Sequence, residues 1–252
     1  MGADEVSATG WRLKIFETLG STSDLCRNFA VNGEPAGLGV LARRQERGRG
    51  REGRTWISSL GNLFLSVLLR PRGSVREAGT WSLVAAVALA DTLEPLLPDG
   101  VALTLKWPND LLLNGRKLAG ILLDSAANSA GDLEWLVIGF GVNLAVAPPV
   151  PGRATAALAE VTTPPGPEQV AQSLLARLDQ WMEVRERNGL TPIREAWLAR
   201  TLPAGTPLSL KMGEQEYVGI FAGLANDGSL LLETGGRVRS FAAGEIVPRE
   251  KG

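Results

Sequence analysis

Gly48-Arg49-Gly50-Arg51-Glu52-Gly53 spells G-x-G-x-x-G, and its reading decides the fold. In a dinucleotide-binding fold these glycines open a helix whose N-terminus receives a pyrophosphate. Here they run into Arg54-Thr55-Trp56-Ile57 and then Ser58-Ser59-Leu60-Gly61, which is poor helix material. The stretch is a loop, and a Rossmann crossover is not expected. The loop reaches back to Arg43 and forward to Trp56, with six arginines against two glutamates. Glycines at alternate positions let the backbone approach a ligand closely. Arginine forks grip phosphate or carboxylate through paired hydrogen bonds. Together they make a flexible anion clamp. Two other readings stay open. An RNA-binding arginine stretch wants stacking aromatics and a basic domain, whereas this loop holds one tryptophan and the chain carries a net charge of −1. A merely solvated charged loop would use lysine as readily and would not need the glycines.

Outward from the loop, residues 39–42 read as a short apolar strand and 11–16 as an alternating one. Between them a helix is expected over 22–31. Ser21 caps it, Asp24 completes a capping-box-like pair, and Asn32-Gly33 ends it. Beyond the loop, 62–70 alternates as a strand, and 77–97 is an apolar, alanine-rich helix ended or kinked by Pro95. Residues 102–107, 111–113 and 117–123 follow as strands, the last two joined by Asn114-Gly115, a specific hairpin signal. A long strand over 135–144 leads into an irregular connection over 146–167 and helices over 168–187 and 192–200. After Leu202-Pro203 short strands alternate with turns, at 208–212, 217–224, 230–233 and 237–241. The expected architecture is an α/β (α+β) domain over 1–203 and a small SH3-like β-barrel over 204–252.

Composition narrows the chemistry. The 252 residues include no histidine and one cysteine, Cys26. A Ser-His-Asp triad, a Cys-His pair, a His-ligated or Cys-cluster metal site and an internal disulfide are all excluded. Acid–base work falls to Lys, Arg, Asp, Glu or a substrate group. The longest apolar run, 83–90, is far short of a membrane span. No signal peptide is read at the N-terminus, and Val6 spoils the myristoylation pattern opened by Met1-Gly2, so a cytoplasmic location is expected.

Only five of the 26 basic residues are lysines, and two of them lie eleven positions apart in Lys106-Trp107-Pro108-Asn109-Asp110 and Arg116-Lys117-Leu118-Ala119-Gly120. Pairing across the Asn114-Gly115 turn brings these segments together, so Lys106, Asn109, Asp110 and Lys117 could face one site. A partly desolvated lysine neutralises a carboxylate or phosphate and stabilises developing charge. The plainer reading is that long lysine stems snorkel from strand ends.

The Gly48–Trp56 loop, the Lys106–Asp110 segment and Arg116-Lys117-Leu118-Ala119-Gly120-Ile121-Leu122 together resemble biotin protein ligase, in that family's order. Ser21-Thr22-Ser23, Gln45 and the segment from Ile138 to Leu144, which holds Asn143, add to the likeness. The resemblance implies an α/β catalytic domain followed by an SH3-like domain. It implies that biotin and MgATP give biotinyl-5′-AMP, and that a lysine of a biotin carboxyl carrier protein then attacks it. It places Lys117, Arg51 and Asp110 in catalysis. It places Ser21, Thr22, Ser23, Gln45, Gly48, Arg49, Gly50, Arg51, Lys117 and Gly120 around biotin. Arg49, Arg51, Arg54, Trp56, Lys106, Asn109 and Asn143 fall around the nucleotide. Magnesium would enter with ATP as substrate, with no tightly bound metal. Two positions depart from the family pattern: Ser23, where asparagine is frequent, and Glu52, where a basic residue is frequent. With the first strand read near Trp11, no room is expected for a DNA-binding domain, so a monofunctional ligase that binds neither DNA nor membrane is implied, with a homodimer left open. The rival within the same fold is a lipoate ligase or an octanoyltransferase. Transferases of that kind use a Cys–Lys pair, whereas Cys26 reads as core.

Overall fold

The computed structural model describes residues 4–8 and 10–248. An eight-stranded mixed sheet is ordered β1-β2-β3-β4-β8-β7-β6-β5. Its strands are β1 (Asp4–Ala8), β2 (Trp11–Leu19), β3 (Leu38–Gln45), β4 (Leu63–Leu69), β5 (Leu103–Lys106), β6 (Asp110–Leu113), β7 (Arg116–Ala127) and β8 (Leu133–Val142). Only β2 and β3 pair in parallel, joined over α1 (Thr22–Val31); the other neighbours are antiparallel. A second, five-stranded antiparallel sheet, ordered β12-β11-β10-β9-β13, forms the SH3-like C-terminal unit. It comprises β9 (Pro207–Met212), β10 (Gln215–Leu224), β11 (Leu230–Thr234), β12 (Arg237–Phe241) and β13 (Glu245–Pro248). Among the described residues no helix is long and apolar enough to cross a membrane.

Two cores flank the large sheet. The larger lies under α2 (Trp81–Leu93), α3 (Pro167–Asn188) and α4 (Thr191–Leu198) and runs without a break into Leu208, Leu210, Phe221 and Leu230 of the small sheet. All but one of the residues of α2 are buried, which is why its sequence is apolar all round and rich in alanine. Truncating fully buried Leu83, Leu89 or Leu93 to alanine would cost about 2–5 kcal/mol. The smaller core, under α1, gathers Phe16, Cys26, Leu38, Val40, Leu68, Trp135 and Val137.

Three expectations need correction. A strand, β1, precedes Trp11; its Asp-Glu-Val-Ser-Ala sequence is too short and polar to announce itself, and it forms by pairing antiparallel with β2. The helix expected over 77–97 is α-helical only over Trp81–Leu93. A 3₁₀ turn at Val75–Thr80, containing Gly79, precedes it, and another at Glu94–Leu96, built on Pro95, ends it. A fifth strand, β13, closes the small sheet against β9.

Cys26 is fully buried, and burial pushes its thiol up to about 12. That protonated thiol favours the folded state below the unfolded value near 9, and the contribution is lost as pH rises toward about 12. The expected result is no alkylation by iodoacetamide in the native protein at pH 8 and full alkylation in denaturant, measured by mass. Native labelling at the denatured rate would contradict this burial.

Candidate active site

The cavity arises from a change of residue size along β8. Alternate residues Leu136, Ile138, Phe140 and Val142 face the large core. The opposite face begins with Trp135 and Val137 in the small core and continues with Gly139 and Gly141. Where side chains stop, space opens: a cavity of about 340 Å³ lined by residues of α1, β3, the arginine–glycine loop, β6, β7, β8 and the connection after β8. A Cβ at Gly139 would come within 2.6 Å of Ser23 Oγ, and one at Gly141 within 2.5 Å of the Trp56 indole. At both positions a side chain would have to displace the group opposite it.

One end of the cavity is polar but uncharged. Ser21 caps α1, accepting from the Asp24 amide at 3.4 Å. This sets Thr22 and Ser23 over the sheet. Gln45 Oε1 accepts from the Thr22 amide at 2.8 Å and from Thr22 Oγ1 at 3.1 Å. Ser66 Oγ donates to Thr22 Oγ1 at 2.9 Å and lies 3.1 Å from Ser23 Oγ. Gln45 Nε2 donates to Ser58 Oγ at 3.2 Å.

The rest is cationic. Arg51, Arg54, Lys106, Lys117 and Arg153 line it against two carboxylates, Asp110 and Glu245, an excess of three positive charges, Arg49 being held by two carboxylates of its own. Lys117 owes its direction to a β-bulge. Leu111 pairs with Ala119 but Leu112 with Lys117, so Leu118 is the extra residue. Without it, period-two alternation would send Lys117 to the core with Leu118's neighbours. With it, Lys117 shares the cavity face with Gly120, and its Nζ donates to Asp110 Oδ1 at 2.6 Å. Both side chains are largely buried. Lys117 Nζ also lies 5.6 Å from the centroid of the Trp56 ring. Lys106 has no carboxylate partner among the described residues.

The arginine–glycine loop is a small hairpin across the cavity. Arg49 bridges to Thr55, and the Gly50 amide donates to Arg54 O at 2.7 Å. A 3₁₀ turn over Arg51–Gly53 makes the tip, with Glu52 at φ 55°. Arg51 donates to Asn109 Oδ1 at 3.1 Å. Arg54 donates to Glu245 of β13 at 3.0 Å, and the same carboxylate receives Arg153 at 2.8 and 3.1 Å. Arg49 is bound instead to Asp24 and Asp124. Among the described residues two lining side chains keep an unpaired buried atom: Trp56 Nε1, a donor, and Asn143 Oδ1, an acceptor. Asn143 Nδ2 donates to Ala156 O at 3.1 Å.

Of the residues expected at the site, Thr22, Ser23, Gln45, Arg49, Gly50, Arg51, Arg54, Trp56, Lys106, Asn109, Asp110, Lys117, Gly120 and Asn143 line this cavity. Two do not. Ser21 acts as the helix cap behind it, and Gly48 lies at the base of the loop, where a Cβ would come within 2.5 Å of Trp56 O. The wall formed by Pro148, Val150, Pro151, Arg153 and Thr155 was not expected, nor was Glu245. The wall is held by Asn62, which accepts from the Ala145 and Val146 amides at 2.9 and 3.0 Å, and by backbone bonds of 2.9 Å between Lys117 and residues 154 and 156. Arg153 in an irregular, proline-rich stretch gives no periodic signal that could have found it. Among the described residues no cluster of three acidic, cysteine or histidine side chains could hold a metal ion.

A mixed sheet with this cavity and a small barrel beside it is the pattern of a known ligase class. Residues 16–143 match the biotin/lipoate A/B protein ligase family, and 206–249 match the biotin protein ligase C-terminal domain. The chain is 38% identical, over 83% of its length and 87% of the relative's, to a biotin–acetyl-CoA-carboxylase ligase of Paracoccus denitrificans. In structure it resembles the biotin protein ligase of Aquifex aeolicus in complex with biotin and ATP (TM-score 0.77, 24% identity, 95% of this chain and 99% of that one). It also resembles the Leishmania major enzyme in complex with biotinyl-5-AMP (TM-score 0.62, 26% identity, 92% and 98%). The chain therefore belongs to the biotin protein ligase family.

Proposed function

We propose that this cavity joins biotin to AMP from MgATP, releasing pyrophosphate, and then passes the biotinyl group to a lysine of a biotin carboxyl carrier domain. The observation that carries the reading is the division of one cavity into an uncharged polar end and an end with three surplus positive charges. Biotin offers a neutral ureido head and an anionic tail, and ATP is a polyanion, so the two anions must be brought together by cations. The hydrogen-bonding end of Thr22, Ser23 and Gln45 takes the head group, with Ser21 fixing their helix. Lys117, beside Gly120, meets the carboxylate and the α-phosphate. The carboxylate oxygen attacks the α-phosphorus and pyrophosphate leaves; next the acceptor amine attacks the acyl carbon and AMP leaves.

Arg54, Arg153 and Lys106 serve the phosphates, with Lys106 available because no carboxylate among the described residues neutralises it. The orphaned donor of Trp56 and acceptor of Asn143 complement the N1 acceptor and amino donor of an adenine edge. In this reading Asp110, adjoining Lys117 and the turn at Asn109, receives the acceptor lysine's proton. Magnesium arrives with the triphosphate. In this reading residues 1–203 carry the chemistry, and 204–252 complete the site through Glu245. Neither rival gains support. Cys26 is buried away from the cavity, as a Cys–Lys transferase would not have it, and Arg49 and Arg51 are held by Asp24, Asp124 and Asn109 within the protein rather than offered to a nucleic acid.

The test is to mix the protein with a carrier domain, biotin and MgATP and weigh the carrier. An ATP-dependent gain of one biotin supports the reading; gain only with lipoate or an octanoyl donor sinks it. Acyl adenylates hydrolyse readily, so the loop must exclude water while it covers the intermediate. Arg51 ties the loop tip to Asn109. Arg51→Ala is expected to form adenylate but shed it about tenfold faster, one hydrogen bond to a charged group being worth about that much. Retention equal to the unaltered enzyme in a filtration assay would refute the lid role.

A further inference from the structure

The two carboxylates on Arg49 lie outside the motifs that mark the site. Asp24 is in the first turn of α1, and Asp124 is on β7 beyond Leu122. Arg49 Nη1 donates to Asp24 Oδ1 at 3.0 Å and Asp124 Oδ2 at 2.8 Å, and its Nη2 reaches Asp124 Oδ1 at 3.4 Å. One guanidinium thus spans two elements of the rigid frame. The loop around it has little else to fix it on that side. Its base is attached where the Arg47 amide donates to Gly20 O at 2.7 Å, its tip through Arg51 to Asn109, and its far limb through Arg54 to Glu245. Glycines at 48 and 50 flank Arg49 and leave it free to swing unless it is held.

We infer that Asp24 and Asp124 are positioning residues of the lid, fastening the arginine–glycine loop over the cavity through Arg49 and so setting how long the acyl adenylate is retained. The inference rests on the proposed function for its consequence, but its geometry stands without it. Arg49 is in this account the fastening of the loop, and two carboxylates occupy the fork that would otherwise grip phosphate. Both acids are part-exposed, so each contact is modest alone and weakens with salt.

The experiment compares Asp24→Asn, Asp124→Asn, the double variant and the conservative Asp124→Glu with the unaltered protein. Three measurements are made: adenylate formation by pyrophosphate release, loss of bound adenylate after rapid filtration, and trypsin cleavage within the loop without substrates. Formation is expected to stay within about twofold, while the double variant loses adenylate about tenfold faster and is cut correspondingly faster, with each single variant in between. Asp124→Glu should restore most of the retention. High salt should hasten loss in the unaltered enzyme and change it little in the double variant. Unchanged retention and unchanged cleavage in the double variant overturn the inference. So does a loss of formation and retention in equal measure with a lowered Tm, which marks mere structural support. If the unaltered protein forms no adenylate, the proposed function fails, and the trypsin rates alone judge the fastening.

Discussion

Replacing Lys117 by alanine is expected to abolish adenylate formation, lowering pyrophosphate release by two to three orders of magnitude, roughly the cost of removing one charge-stabilising donor from a preorganised site. Lys117 is the cation that the Leu118 bulge turns onto the cavity face, and its stem lies against Gly120, where a Cβ would stand 3.3 Å from its Nζ. No neighbouring cation on that strand can take its place, since Arg116 points to Glu160 and Thr155. The substitution also leaves Asp110, which is 14% exposed, without its partner at 2.6 Å. A bare carboxylate there would repel the incoming carboxylate and phosphate. It would also cost stability, because breaking a desolvated pair strands a charge. The double variant Lys117→Ala, Asp110→Asn separates the two effects. It should regain the lost Tm but not the activity. Near-normal pyrophosphate release in either variant would remove Lys117 from the chemistry.

Much of the frame was readable because local signals agreed with the tertiary result. Ser21 and Asn32-Gly33 mark the ends of α1, and Asn114-Gly115 forms the β6–β7 turn, with Asn114 at φ 48° and Gly115 at φ 77°. Lys106, Asn109, Asp110 and Lys117 could be grouped because a hairpin fixes which segments meet. The face Lys117 takes was not readable: a one-residue bulge reverses strand parity, and no residue type announces it. The wall over 148–155 was hidden because it has no period and its order comes from Asn62 and from backbone pairing to Lys117. Glu245 and Arg49 show a further limit. The charge count of the loop was plain, but which arginines face a ligand and which are tied to carboxylates up to 191 residues away is settled only by the packing of distant elements. The glycines of β8 could be read as strand residues; that they open the cavity depends on what stands opposite them.

Gly139→Val and Gly141→Val are expected to separate the two substrates, although the positions are only two residues apart. Valine suits a strand, and both sites face the cavity rather than the large core, so each variant should fold. At 139 the new side chain enters the uncharged end. Its Cβ alone would stand 2.6 Å from Ser23 Oγ and 3.5 Å from Ser66 Oγ. The hydroxyl network with Thr22 and Gln45 must then shift or lose a bond, and the head-group volume is filled. The KM for biotin is expected to rise by about a hundredfold, the scale of a misplacement near 1 Å, with a much smaller change for ATP. At 141 the Cβ meets three indole atoms of Trp56 at 2.5, 2.8 and 2.8 Å. The indole has to leave its place against the strand, taking the donor Nε1 from the nucleotide end and loosening the loop that follows Gly48. Here the KM for ATP should rise by a similar factor while biotin binding, followed by calorimetry without ATP, stays near its original strength. Equal losses for both substrates in both variants would mean that the cavity is not divided in this way, and the assignment of its polar end to biotin and its Trp56 end to the nucleotide would have to be abandoned.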